Sequence, residues 1–279
     1  MQFFKYHGAG NDFLLADNTA GLPSPDSAFI RRLCDRHTGF GADGVIFLES
    51  SADHAFRMVF FNPDGSGGMM CGNGGRCIVA FAADLGLISA GQTVSFEAPD
   101  GIHKAEITAE DYPVKTVRLS MMPVEGIRVY PGERACFLET GARHLVKFVE
   151  GLDDYPVSSE GKRLRHDCRF APSGTNVDFV EPLPPREGTP ALRIRTFEKG
   201  VEAETLACGT GIVAAALAAF HQNHPSGCAP AGTRQEYLVE ASIDRLRVEF
   251  DAHGSRDSFR VDNIRLSGPA AFVGTVALP

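Results

Sequence analysis

Two short stretches decide the fold: Met70-Cys71-Gly72-Asn73-Gly74-Gly75-Arg76 and Ala207-Cys208-Gly209-Thr210-Gly211. Each sets Cys-Gly-x-Gly directly ahead of apolar residues at helical spacing. In the first copy these are Ile78, Val79, Phe81, Ala82 and Leu85, with Gly86 where a helix commonly terminates. In the second, Ile212 to Phe220 is apolar on every face, so that helix belongs at the centre of a core rather than on a surface. The cysteines stand 137 residues apart in a chain of 279. Two matching helix entrances half a chain apart predict a duplicated architecture, with one buried helix per half.

Working outward from these helices, most remaining segments read as strands. Gln2–Tyr6, Val45–Leu48, Phe56–Phe61, Val94–Ala98 and Ile102–Ile107 are β-branched or aromatic runs in the first half. Val117–Met121, Ala135–Leu138, Leu145–Val149, Asn176–Val180 and Leu192–Phe197 follow in the second, and the C-terminus alternates again. Loops are expected at His7–Asp12, at Asn62-Pro63-Asp64-Gly65, through the four prolines between Pro182 and Pro190, and at His224–Gly232. Pro99-Asp100-Gly101 predicts a hairpin turn, and Ser24-Pro25-Asp26 predicts the start of a helix running through Ile30 and Leu33 towards Arg36. Many short strands with one buried helix per half read as α+β rather than as a βαβ winding.

Composition narrows the function. Apolar residues at 43% and charged residues at 22% are the balance of a soluble globular protein, and no apolar run is long enough to span a bilayer. The N-terminus lacks the pattern of a secretory signal, which predicts a cytoplasmic protein. A net charge of −8 argues against a phosphate-backbone partner, so small molecules are favoured over nucleic acid or membrane. Seven cysteines at irregular spacing, with no Cys-x-x-Cys, fit a reduced compartment and no structural metal. A phosphate-binding Gly-x-x-x-x-Gly-Lys motif is also missing, leaving no seat for nucleotide chemistry.

The chemistry follows from what a helix N-terminus offers. Its leading N–H groups are unpaired, its partial charge is positive, and glycines let a ligand approach the backbone. Such an end suits a carboxylate and favours the thiolate of an adjacent cysteine. A substrate carboxylate held between two of them has one sulfur on each face of its α-carbon. One sulfur takes the α-proton and the other returns one, which is racemisation or epimerisation by two opposed acid/base groups. No pyridoxal-phosphate signature is evident, so preorganised N–H groups must stabilise the developing charge. A lone cysteine ahead of a helix is more often a packing residue; the second, matched copy is what favours function. Cys34, Cys77, Cys136, Cys168 and Cys228 lack that setting and are expected to be inert.

Beyond these two motifs, the chain resembles the diaminopimelate epimerase family across nearly its whole length. The resemblance runs through Lys5-Tyr6-His7-Gly8-Ala9-Gly10-Asn11-Asp12-Phe13, Asp35-Arg36, Gly39-Phe40-Gly41-Ala42-Asp43-Gly44 and Phe61-Asn62-Pro63-Asp64-Gly65-Ser66. It continues through the two cysteine motifs, Gly174-Thr175-Asn176-Val177, Arg195-Thr196-Phe197-Glu198-Lys199-Gly200 and Glu204-Thr205-Leu206. It implies an α+β fold of two pseudo-symmetric lobes, each a curved mixed, barrel-like sheet around a central helix. The N-terminal lobe would span 1–115 and be joined by a C-terminal strand at 266–279, the second lobe would span 116–265, and the active site would lie in the cleft between them.

The same resemblance implies Cys71 and Cys208 as the catalytic pair and Gly72, Asn73, Gly209 and Thr210 as donors to the reacting carboxylate. Asn11, Asn62 and Asn176 match substrate-holding positions, and Glu198 and His144 match groups beside the reacting centre. No cofactor or metal is implied. The substrate would be LL-2,6-diaminopimelate, epimerised to the meso form for lysine and peptidoglycan-precursor synthesis, by a cytoplasmic homodimer. Two departures bear on the substrate's far end. Lys199 stands where the family usually has Arg, and Ala142-Arg143 stands where it has Asn or Ser followed by Pro. A point-charge ammonium replaces a bidentate fork at the first position, and Arg143 is a candidate to supply the missing guanidinium. The alternative substrate is proline, hydroxyproline or a broader set of amino acids. A redox module with a switchable disulfide would show no α-proton exchange at all.

Overall fold

The computed structural model describes residues 2–23, 25–68, 70–224, 233–253 and 258–277. Its elements are β1 (Gln2–Gly8), β2 (Asn11–Asp17), α1 (Ser27–Cys34), β3 (Val45–Glu49), β4 (Arg57–Phe61), α2 (Gly72–Asp84), β5 (Val94–Ala98), β6 (Gly101–Asp111) and β7 (Val114–Ser120). There follow β8 (Val124–Glu125), β9 (Arg128–Tyr130), β10 (Ala135–Glu139), β11 (Arg143–Phe148), α3 (Val157–Arg165), β12 (Asn176–Arg186) and β13 (Thr189–Glu198). β14 (Ala203–Thr205), α4 (Gly209–Asn223), β15 (Arg234–Glu240), β16 (Arg245–His253) and β17 (Arg260–Ala277) complete the chain. Two compact units result, Met1–Leu119 with Ser267–Pro279, and Ser120–Leu266.

In the first unit the strands close on themselves in the order β1-β2-β3-β4-β5-β6-β7-β17. The late part of β17 closes the ring, pairing with β1 from His7↔Ala271 to Gln2↔Ala277 and with β7 from Val117↔Gly268 to Val114↔Ala271. Closure leaves no free edge in this row. Two pairs are parallel, β2–β3 and β4–β5, and each needs a crossover. Helix α1 makes the first and α2 the second.

These crossovers explain the unbroken apolar runs Phe13-Leu14-Leu15-Ala16 and Val45-Ile46-Phe47-Leu48, all buried. A strand covered on both faces has no solvent side on which to place polar residues. Phe3, Leu14, Val45 and Phe47 pack on one face with Ile30 and Leu33 of α1. On the other lies α2, buried from Asn73 to Ala82, with Phe81 against Phe4 and Tyr6 of β1.

The second unit repeats the scheme. Its row β9-β10-β11-β12-β13-β15-β16 contains two parallel pairs, β11–β12 and β13–β15, bridged by α3 and α4. Strand β14 pairs additionally with β13, and β8 with the early part of β17. Leu145, Val177, Phe179 and Phe197 face Val157 and Leu164 of α3. Gly161 makes this approach possible, since a Cβ there would lie 2.4 Å from the Cβ of Phe197. Helix α4 is buried from Gly211 to His221. The architecture is therefore α+β with a mixed sheet and a central helix in each unit, as anticipated. Reading strands alone missed the two helix-bridged parallel pairs within each unit.

Several local expectations shift. The loop over His7–Asp12 shrinks to Ala9-Gly10, because pairing runs on to Gly8↔Asn11. Helix α1 starts after Pro25, with Asp26 as N-cap accepting from the Phe29 N–H at 2.7 Å, and it ends at Cys34 rather than Arg36. The proline-rich segment is not a loop: β12 runs to Arg186 and β13 begins at Thr189. Glu187 and Gly188, both with positive φ, make a two-residue hairpin turn. The ladder is interrupted between Leu183 and Arg186, where Pro184 and Pro185 lack N–H groups to contribute. Most of the loop expected at His224–Gly232, and Ser24, lie outside the described residues.

Phe220 is wholly buried in α4, edge-on to Phe250 with ring centroids 5.4 Å apart. Phe220→Ala is expected to destabilise the second unit by about 3–5 kcal/mol. A urea titration followed by circular dichroism checks this; an unchanged midpoint shows that α4 is not the support of its unit.

Candidate active site

Both motif cysteines are helix N-caps. Cys71 (φ −107°, ψ 120°) and Cys208 (φ −114°, ψ 112°) adopt the extended conformation of a residue that enters a helix, and neither side chain caps it. The first intrahelical bonds close three residues into each helix, from Gly75 N to Cys71 O (2.7 Å) and from Ile212 N to Cys208 O (2.9 Å). The N–H groups of Gly72, Asn73 and Gly74, and of Gly209, Thr210 and Gly211, therefore belong to the leading turn, the part of a helix that attracts anions.

Around Cys71 the side chains are ordered by Asp43, just ahead of β3. One of its carboxylate oxygens accepts from Asn11 Nδ2 (2.7 Å) and the Asp12 N–H (3.2 Å), the other from Arg36 (2.7 Å). This fixes the Asn11 amide, so its oxygen faces the helix. There it accepts from Asn73 Nδ2 (3.3 Å) and from the Cys71 thiol (3.5 Å). Asn73 in turn accepts from Arg76 Nη2 at 2.9 Å. Arg76 is fully buried, and its guanidinium also donates to the carbonyls of Gly72 and Pro269. Asn62 donates to Ser66 Oγ within its own turn at 3.0 Å. Of the three matched asparagines, it is the one whose recorded bonds are those of a turn former.

The surroundings of Cys208 are more deeply buried. Its sulfur lies 3.4 Å from Thr210 Oγ1, which lies 2.9 Å from His144 Nε2. His144 Nδ1 is 2.7 Å from Asp178 Oδ2, and both side chains are wholly buried. Asp178 Oδ1 accepts from Thr196 Oγ1 at 2.8 Å. Asn176 accepts the Lys199 N–H at 2.8 Å through its oxygen and turns its nitrogen towards His144 Nε2, 3.4 Å away. Strand alternation produces this cluster: His144, Asn176 and Asp178, Thr196 and Glu198 occupy the faces of β11, β12 and β13 turned towards α4. Gly211 is required there, since a Cβ would meet Asp178 Oδ1 at 2.5 Å.

The same alternation turns Arg143 the other way. Its guanidinium sits 5.3 Å from the Phe137 ring centroid and donates to the Phe170 carbonyl at 3.1 Å, on the α3 side of β11. Lys199 is exposed, and Glu198 is half-buried, accepting from Thr205 Oγ1 at 2.9 Å. Three residues central to these networks, Asp43, Arg76 and Asp178, went unassigned in the sequence. The available signals were a lone arginine entering an apolar helix and a lone acid in Asn176-Val177-Asp178-Phe179-Val180.

Burial separates the thiols. It pushes Cys208 well above the usual range, with Glu198 and Asp178 adding repulsion and the Gly211 N–H partly offsetting it. Desolvation also pushes Cys34 and Cys136 up to about 11, and Cys77 higher still. Cys168 is exposed and Cys71 partly so; Cys228 lies outside the described residues. Timed iodoacetamide treatment of the native protein at pH 8, followed by peptide mass spectrometry, is expected to label Cys168 and Cys71 well before Cys208. Labelling of Cys208 as fast as Cys168 contradicts the burial described here.

The chain is 42% identical to the diaminopimelate epimerase of Chlorobaculum tepidum, over 97% of this chain and 99% of that one. It is 38% identical to the diaminopimelate epimerase of Flavobacterium psychrophilum, covering 98% of each. Among solved structures, a phenazine biosynthesis protein of the PhzF family from Bacillus anthracis superposes with a TM-score of 0.75 at 15% identity, over 100% of this chain and 99% of that one. A hydroxyproline epimerase from Agrobacterium vitis superposes with a TM-score of 0.67 at 18% identity, over 100% and 90%. These two likenesses establish the fold and leave the substrate to the site. The family model for diaminopimelate epimerase matches residues 3–124 and 136–263, and the chain belongs to that family.

Proposed function

We propose that this protein is an isomerase that interconverts LL- and meso-2,6-diaminopimelate without a cofactor, using Cys71 and Cys208 as the acid/base pair. The carrying observation is the pair of N-cap cysteines, each at the head of its unit's buried central helix, in a chain 42% identical to a diaminopimelate epimerase. Inversion by two groups needs a sulfur on each face of the α-carbon. A thiolate on one face takes the α-proton, a thiol on the other delivers one, and the roles exchange when the substrate has the other hand.

The leading N–H groups at Gly72, Asn73, Gly209 and Thr210 receive the reacting carboxylate and stabilise the charge that develops on it as the α-proton leaves. Asn11 and Asn176, whose amides are oriented by Asp43 and by the Lys199 N–H, hold polar groups of the substrate, together with Asn62. His144 and Glu198 stand beside the reacting centre. Lys199 serves the distal carboxylate: it is exposed, whereas the Arg143 guanidinium is engaged with Phe137 and Phe170. The product feeds lysine and peptidoglycan-precursor synthesis, and the working enzyme is a cytoplasmic homodimer.

Proton NMR of the reduced protein with LL-diaminopimelate in D₂O tests the assignment. The wild type is expected to exchange the α-proton for deuterium and to form the meso isomer, and Cys71→Ala and Cys208→Ala each to lose about 10²–10⁴-fold in epimerisation. An active wild type whose rate survives either substitution refutes the two-thiol mechanism; exchange with proline in place of diaminopimelate refutes the substrate. Lys199→Ala is expected to raise KM for diaminopimelate about two- to fivefold, the loss of one screened charge interaction, and Arg143→Ala to leave it unchanged. The reverse pattern moves the distal-carboxylate contact to Arg143.

A further inference from the structure

We propose that Asp178 is a positioning residue that governs the protonation of Cys208 through His144 and the Thr210 hydroxyl, a relay of four side chains along 2.7, 2.9 and 3.4 Å contacts. The inference rests on the reading of Cys208 as an acid/base group.

The direction of each hydrogen bond is fixed by its neighbours. Asp178 is an acceptor, so His144 Nδ1 carries the proton that faces it. Neutral His144 therefore presents Nε2 as an acceptor. The Asn176 amide agrees, because its oxygen is taken by the Lys199 N–H and its NH₂ is the end directed at Nε2. Thr210 then donates its hydroxyl proton to Nε2 and offers its oxygen lone pair to the Cys208 S–H. Asp178 cannot turn away from this role. Its other oxygen is held by Thr196, and the first turn of α4 lies over it at Gly211, where even a methyl group has no room.

This arrangement can charge the sulfur without water. The Cys208 proton passes to Thr210 Oγ1 as the Thr210 proton passes to His144 Nε2. One S–H bond breaks, one N–H bond forms, and the hydroxyl exchanges one proton for another. The products are a thiolate at Cys208 and an imidazolium at His144, and the imidazolium lies against the Asp178 carboxylate. The negative charge of Asp178 is what makes this state accessible in a buried site, as in other carboxylate–histidine pairs that serve a nucleophile. The charged groups recorded against Cys208 are Glu198 from β13 and Asp178 from β12; both oppose a thiolate directly, and only Asp178 also favours it through His144.

That opposition makes the sign of an experiment decisive. The rate of Cys208 modification by methyl methanethiosulfonate, a small thiol reagent, is measured against pH by peptide mass spectrometry on the intact protein. If the relay operates, Asp178→Asn moves the midpoint up by about one unit, which is about tenfold slower reaction below it. In a Thr210→Val background, where the relay is cut, the same substitution removes only repulsion and moves the midpoint down. Thr210→Ser keeps the hydroxyl and holds the wild-type midpoint. A downward shift for Asp178→Asn in the wild-type background, or the same shift with and without the Thr210 hydroxyl, overturns the relay. Should Asp178→Asn fail to fold, as shown by loss of the wild-type melting transition, the Thr210→Val and Thr210→Ser pair decides: identical midpoints overturn the proposal. The readout involves no amino-acid substrate. An upward shift in a protein that exchanges no α-proton of diaminopimelate leaves the relay standing and removes the epimerase reading, and the converse result does the opposite.

Discussion

The rest of the structure depends on the burial of two central helices whose bodies, Cys77–Ala82 and Ile212–Phe220, are apolar. Helix α4 is apolar around its whole circumference, and α2 is buried from Asn73 to Ala82. Helices of this kind are not stable beside water, so a sheet must wrap them, and each unit supplies one by repeating the same succession of hairpins and parallel pairs. The outer faces of those sheets are then covered by α1 and α3, which is why the strands beneath carry unbroken apolar runs.

Burying a helix leaves its N-terminus as a problem and as a resource. The leading N–H groups require partners, and a cysteine at the cap does not provide them through its side chain. The glycines that follow each cysteine, Gly72 and Gly74, and Gly209 and Gly211, keep the backbone open to a ligand. The positive end that a carboxylate would satisfy thus exists because the core demanded an apolar helix and the sequence declined to cap it. The two ends are furnished differently. At Cys71 the partner is an asparagine oxygen, oriented by Asp43 and shared with Asn73; at Cys208 it is a threonine hydroxyl, backed by a histidine and a wholly buried aspartate. Cys208 is the more deeply buried of the two, and the negative charges of Glu198 and Asp178 add to burial in holding it as a thiol.

Strand alternation is the device that sorts functional from structural side chains here. Neighbours in sequence are separated by the thickness of the sheet: His144 joins the network at α4, while Arg143 lies across Phe137 on the α3 side. The expectation that Arg143 could take over a missing guanidinium depended on its proximity to His144 in the chain, and that proximity does not survive folding. Asp178 shows the converse. It is separated by 34 residues from His144 in sequence, yet the parallel register His144↔Asn176 and Val146↔Asp178 brings the two together.

The sequence by itself determined the duplication, the two helices and their cysteines, most strands and the α+β class, because each is written in local periodicity and turn chemistry. It also carried Asn11, Asn73, His144, Asn176 and Glu198 as positions of interest through family motifs. It misjudged the proline segment, where cross-strand pairing with β13 outweighed the local composition; and local pattern spoke against βαβ connections, so the parallel pairs were implied only by the family's mixed sheet, because they exist only as long-range register. Asp43, Arg76 and Asp178 emerged only in three dimensions. A charged side chain is placed by the partners that satisfy it, and Asn11 and Arg36 for Asp43, the Pro269 carbonyl for Arg76, and His144 and Thr196 for Asp178 are brought within hydrogen-bonding distance by packing that no local stretch of sequence encodes.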